Sequence, residues 1–173
     1  MKKLVLLFGV MILLAGCTQA PPSTDETKDI KTTENITLVK DFFKAIENEN
    51  IEAMKGFLSD SVVSYGPSFD YTGNLEEIVN YWTQTFKDID SLKFDIFEIM
   101  SETIPEGNLA GDWILQWADV SFYSPTGEKK VKLMVHTAQM IEDGKISIFA
   151  EYWNQWDMYK QMGAELKWPE EKK

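Results

Sequence analysis

The stretch Val131–Asp157, VKLMVHTAQMIEDGKISIFAEYWNQWD, decides how the rest of the chain is read. Two runs rich in β-branched and aromatic residues flank Asp143-Gly144. That dipeptide suits a two-residue type I′ turn, in which both central residues take positive φ. The stretch therefore reads as a closing antiparallel hairpin, Lys130–Ile141 followed by Lys145–Trp156. It holds the single histidine of the chain, His136, an acid among apolar neighbours, Glu151, and an aromatic run from Tyr152 to Trp156. Alternation sets Ile146, Ile148, Ala150, Tyr152 and Asn154 on one face, and Ser147, Phe149, Glu151 and Trp153 on the other. On the preceding strand Met134, His136, Ala138 and Met140 oppose Leu133, Val135, Thr137 and Gln139. Register is not written in the alternation, so whether His136 meets Glu151 or Tyr152 stays open.

Two further strands precede the hairpin, Leu92–Glu102 and Leu109–Tyr123, with turn residues at Pro105–Asn108 and Ser124–Gly127. Before them the period changes to that of helices. Asn35 is placed to cap a helix in which Ile36, Val39, Phe42, Phe43 and Ile46 recur at helical spacing. Asn50 caps a second helix carrying Ile51, Met54, Phe57 and Leu58, and Ser61–Tyr65 reads as a brief strand. Asn74 and Glu77 have capping-box spacing and open a third helix with Leu75, Ile78, Tyr81, Trp82 and Phe86. Asp157 is the expected cap of a short terminal helix, Met158–Met162. Three helices and then four long strands is an α+β order. The helices are expected to cover the concave face of a curved antiparallel sheet, leaving a cone lined by inward-facing strand residues.

The first residues point to a cellular address. Lys2 and Lys3, the apolar run Leu4–Leu14 and then Leu14-Ala15-Gly16-Cys17 form a signal peptide over residues 1–16, too short to span a bilayer. Its end resembles the lipobox of bacterial lipoproteins, which implies lipidation at Cys17 and a membrane-anchored position in the bacterial cell envelope. Residues 17–34, rich in Pro, Ser, Thr and charge, read as a flexible tether. Residues 35–165 form one domain, and 166–173 a polar tail. Cys17 is the only cysteine, so the domain is held by its core alone. The formal charge of −11 becomes more negative once the two leader lysines are gone. That acidity argues against nucleic acid and against an anionic membrane surface, so contact with the membrane falls to the N-terminal lipid.

The opening helix LVKDFFKAIENENIEAM (38–54), the strand SVVSYG (61–66) and the ending EDGKISIFAEYW (142–153) resemble the NTF2-like superfamily, and within it the SnoaL-like domains. The resemblance covers residues 36–165 and implies an NTF2-like cone. Such folds host isomerases, cyclases and hydratases as well as binding domains, so the fold does not settle the function. By resemblance Tyr65 matches the pocket tyrosine of the first strand, and Tyr152 matches an aromatic that often follows the DGKI turn. Asn154 falls where several members carry an Asp. An Asn orients a ligand but accepts no proton.

From the residues themselves, His136 and Glu151 are the candidate catalytic groups, His136 as a general base and Glu151 as a carboxyl raised by burial. The alternatives are a histidine satisfied by one hydrogen bond or by solvent, and a glutamate paired with Lys or water. Tyr65, Trp82, Trp117, Tyr152 and Asn154 are the candidate ligand-binding residues. The excess of amphipathic rings fits a pocket, and it also fits core filling or a homodimer contact on the open sheet face. One His and no second Cys predict no metal site, and no cofactor is expected. Two functions follow: a module binding a small hydrophobic, apolar or aromatic molecule, or an enzyme acting by proton transfer.

Overall fold

A computed structural model describes residues 24–124 and 126–167. The signal peptide, Cys17, the first part of the tether, Pro125 and the end of the tail lie outside the described residues. The elements run α1 (Thr24–Glu47), α2 (Ile51–Gly56), β1 (Leu58–Tyr65), β2 (Thr72–Gly73), α3 (Leu75–Asp88), β3 (Asp90–Ile104), β4 (Gly111–Tyr123), β5 (Lys130–Glu142), β6 (Lys145–Trp153) and α4 (Gln155–Gln161).

The caps of α2 and α3 form as their sequences dictate. Asn50 accepts from the Ala53 N–H, and Asn74 and Glu77 complete a reciprocal capping box. The first helix departs from expectation. It begins at Thr24, so Asn35 is no cap but a buried position inside α1, and part of the segment read as a tether is helical. An ion pair between Lys31 and Asp112, 2.6 Å long, joins this early part of the helix to β4. Further along, Val39, Phe42, Phe43 and Ile46 are buried against the sheet.

The sheet has six strands in the order β2-β1-β6-β5-β4-β3. All neighbours are antiparallel except β1 and β6, which run parallel through pairs such as Leu58–Ile146 and Tyr65–Ala150. The helices pack on its concave face, with α1 on β3, α3 on β1 and α4 on β5. The main core lies between these layers. A smaller cluster of Trp113, Ala138, Met140 and Ala150 sits on the opposite, outer face.

Asp143 and Gly144 both have positive φ, 49° and 69°, so the hairpin turns as its dipeptide dictates. Alternation beyond the turn is broken by a bulge. Ile141 pairs with Ile146 and Met140 with Ile148, leaving Ser147 as the extra residue. Its hydroxyl donates to the Met140 carbonyl at 3.2 Å. Ile146 therefore points into the main core while Ile148 and Ala150 point outward, although simple parity sets all three on one face.

Candidate functional site

The bulge settles what faces what. Continued without it from the Glu142–Lys145 pair, the ladder sets His136 opposite Glu151. With it, His136 pairs with Tyr152 and Thr137 with Glu151. The hairpin thus separates its two candidate catalytic residues onto opposite sides of the sheet.

On the outer face Trp117, His136 and Tyr152 form a ladder across β4, β5 and β6. The first two rings stack at 4.5 Å and the second two at 5.9 Å. His136 Nδ1 donates to the Gln116 carbonyl at 3.0 Å. This is the satisfied histidine of the simpler expectation. Tyr152 is 57% exposed. Asn154 lies beyond the end of β6, where its side chain accepts from the Asp157 N–H and caps α4. The terminal helix is therefore capped by Asn154 rather than Asp157. Among the sequence candidates, His136, Trp117 and Tyr152 stand on the outer face, Asn154 is a cap, and Glu151, Tyr65 and Trp82 line the concave side.

The concave side holds a cavity of two lobes, each of about 230 Å³. Tyr81, Trp82, Glu151, Trp153 and Met158 border both lobes and form the partition between them. The first lobe is apolar. Phe94, Val120, Phe122, Leu133 and Val135 make its sheet wall, Phe43 of α1 closes one side, and Met158 of α4 with the C-cap residue Met162 closes another. The second lobe lies under the segment between β1 and β2 and is ringed by Tyr65, Tyr71, Tyr81 and Tyr159. Ser68 of that segment donates to Gln155 of α4 at 3.3 Å across its mouth.

On its β5 side helix α4 is held by the Gln161 side chain. Beyond Trp153, β6 no longer pairs with β5, and Gln161 takes over at Lys132. Its Nε2 donates to the Lys132 carbonyl at 2.8 Å, and its Oε1 accepts from the Lys132 N–H at 3.0 Å.

Glu151 is the charge-bearing group common to both lobes. Burial pushes its carboxyl up to about 7, and the neighbouring Trp153 side chain opposes part of that shift as a hydrogen-bond donor. Beside it on the same face run Thr137 and Gln116. The Thr137 hydroxyl and the Gln116 amide oxygen are buried without a hydrogen-bond partner, as are both polar atoms of Gln139. Tyr81 stays a neutral O–H donor: burial, and then the Glu151 charge, hold its phenol above the ordinary range. Among the described residues no three His, Cys, Asp or Glu side chains converge on one point.

Sequence reasoning missed Tyr81, Tyr159 and the polar row beside Glu151. Tyr81 was legible as the turn-mate of Trp82 on α3. Tyr159 was not, because the cap of α4 was placed three residues too late.

The comparisons with known proteins agree with this geometry. The SnoaL-like domain family matches residues 39–149. An epoxide hydrolase of M. tuberculosis described as LEH-like superposes with a TM-score of 0.61 at 20% identity, covering 76% of this chain and 90% of that one. A putative SnoaL-like polyketide cyclase from Shewanella denitrificans gives 0.62 at 11% identity, with 76% and 98% covered. AclR, a putative hydroxylase from Streptomyces galilaeus, gives 0.65 at 16% identity, with 80% and 91% covered. At these identities the likeness is one of fold. Comparison with curated proteins finds no match. With the family matched over most of its length and the helices laid on a curved, unclosed sheet around a cavity, this chain belongs to the SnoaL-like domain family and has the NTF2-like fold.

Proposed function

We propose that this protein is a lipid-anchored cell-envelope protein that takes a small apolar or aromatic molecule into its two-lobed cavity. The observation that supports binding most directly is the first lobe, whose walls from the sheet, α1 and α4 are almost wholly apolar. The anchor rests on the run ending Leu14-Ala15-Gly16-Cys17. Replacing Cys17 by Ala is expected to move the protein from the membrane to the soluble fraction, and unchanged fractionation rejects the anchor. Binding is tested by native mass spectrometry of the purified protein. A small molecule retained at one per chain is expected, and a chain that arrives bare and takes up no apolar probe rejects the reading.

A second reading is favoured by one residue. Glu151 is a titratable group inside the cavity, poised near neutrality, beside an unpartnered Thr137 hydroxyl and a neutral Tyr81. A carboxyl so placed suits proton transfer at neutral pH, with Tyr81 donating to a developing oxyanion. An isomerase, cyclase or hydratase would use this arrangement, and the fold is shared with proteins described as a hydrolase and a cyclase. In this reading Glu151 takes the base role, with His136 on the other face of the sheet. Glu151→Gln is expected to lower turnover of an identified substrate by about 10²–10⁴-fold while leaving binding in place. Turnover unchanged by that substitution removes the enzymatic assignment. The outer face, with Trp117, Tyr152 and the exposed Met134, is the surface we assign to a homodimer.

A further inference from the structure

The charged groups that border the cavity bear on the class of molecule it can take. Among the described residues no Lys or His borders either lobe, and the chain contains no arginine. The acids that border them are Glu151, shared by both, and Asp88 at the far side of the first lobe. The ion pairs among the described residues are Lys31–Asp112 and Lys44–Glu47, and neither involves Glu151. An anion entering here meets carboxylates and no counter-charge. A neutral molecule fits the first lobe but leaves Glu151 buried for no return.

The second lobe supplies what a cation needs. Four tyrosines, Tyr65, Tyr71, Tyr81 and Tyr159, and two tryptophans, Trp82 and Trp153, border the same space as the Glu151 carboxyl. Aromatic rings attract a substituted ammonium through the negative potential of their faces, and a carboxylate adds the counter-charge. The tyrosines come from separate elements, so the ring is built by the fold. Tyr71 is held in place by two glycines: a Cβ at Gly66 would lie 2.7 Å from its ring, and one at Gly73 would lie 2.9 Å from its hydroxyl.

We infer that the cavity takes an organic cation, with an apolar or aromatic body in the first lobe and a substituted ammonium head among the tyrosines of the second, facing Glu151. This rests on the binding reading above and adds the chemical class of the ligand. The titratable groups that share the lobe with Glu151 are Tyr65 from β1, Tyr71 from the segment before β2, Tyr81 from α3 and Tyr159 from α4, with Asp88 in the other lobe. None of them is a cation, so the charge of the ligand is balanced by Glu151 itself. Because burial favours the neutral form of Glu151, cation binding is coupled to release of its proton.

The test uses three probes of nearly one shape: phenyltrimethylammonium, its neutral carbon isostere tert-butylbenzene, and the anion benzoate. Calorimetric titration of the full-length protein at pH 6 is expected to show the cation binding at least about tenfold tighter than the neutral isostere, with benzoate weakest. The same titrations in buffers of different ionisation enthalpy should show a proton released with the cation and none with the neutral probe. In Glu151→Gln the preference and the proton release are expected to disappear while the neutral probe still binds. In Tyr159→Leu, at the exposed rim, the preference should shrink several-fold and the proton release persist. A neutral isostere that binds as tightly as the cation overturns the cationic assignment and leaves the binding cavity standing. Benzoate binding tightest overturns the charge argument itself. If none of the three binds, the cavity reading and this inference fall together.

Discussion

A carboxyl that is charged in water and neutral in a protein leaves a signature in how stability depends on pH. Glu151 has an ordinary value of 4.5 and is pushed to about 7 in the folded chain. Between those values the native state holds a proton that the unfolded state has released, so stability falls as pH rises across that window and then levels off. Below pH 4.5 both states are protonated and the contribution is complete. The span corresponds to about 3 kcal/mol. Denaturant titrations from pH 4.5 to 7.5 are expected to show this slope, and Glu151→Gln should flatten it. Glu47 works in the opposite sense. Burial raises its carboxyl, but the Phe94 N–H at 2.8 Å and the Lys44 ammonium at 2.9 Å outweigh it and bring the value below ordinary. Its contribution is present above the unfolded value and is lost as pH falls, and it cancels in the comparison of native chain with variant. Because Glu47 ties the end of α1 to β3, Glu47→Ala is expected to cost about 2 kcal/mol at pH 7 in urea unfolding. At this scale the sequence told part of the story. The residue types of the site were visible in Glu151, Tyr65 and Trp82, but Asn154 proved to be a cap. A polar residue that follows an aromatic strand end satisfies the same pattern whether it points at a ligand or at the N–H groups of the next turn.

At the scale of elements, the existence of helices and strands was legible and their relative phase was not. Asn50, the Asn74–Glu77 pair and Asp143-Gly144 each act within a few residues, so each is readable from the chain alone. Which face of β6 lines the cavity depends on Ser147, one extra residue whose hydroxyl finds the Met140 carbonyl. Nothing in the alternation of IFAEYW announces it. The hydrophobic set of β5, Val131, Leu133 and Val135 alternating with Lys130, Lys132 and Met134, was the better guide to the inward face. The start of α1 was misread for a related reason: a polar helix whose end is fixed by an ion pair to a distant strand has no local signal. Helix α4 invites a direct test. Gln161 imitates a strand neighbour at Lys132, and Gln161→Ala deletes both hydrogen bonds. We expect a loss of about 1–2 kcal/mol and faster amide exchange at Lys132, with the apolar lobe opened on the side of Met158 and Met162.

For the whole molecule, the fold class was readable from element order alone, because helices followed by long strands leave few ways to bury both sets of apolar faces. The partnership of β1 with β6 was not, since parallel pairing leaves no turn between the two strands. The outer face remains apolar over the ladder of Trp117, His136 and Tyr152, with Met134 68% exposed beside it. A patch of this kind fits contact with a second copy. Light scattering is expected to report a dimer, and Met134→Lys to shift it toward monomer without loss of fold. A monomer at all accessible concentrations rejects that surface.

The parallel seam between β1 and β6 also sets an order of events in time. Across this seam Leu58 pairs with Ile146 and Tyr65 with Ala150. The loop that must close takes in about two thirds of the domain, so this contact is among the most costly in entropy and comes late. Glu151, Trp153 and Tyr65 all lie along that seam or just beyond it. A chain still being synthesised, or one truncated before β6, can form α1, α3 and the β3–β4 pair but no cavity. The complete cavity therefore arrives only with the segment from Lys145 onward, and arrested chains are expected to be helical, collapsed and unable to take up an apolar probe.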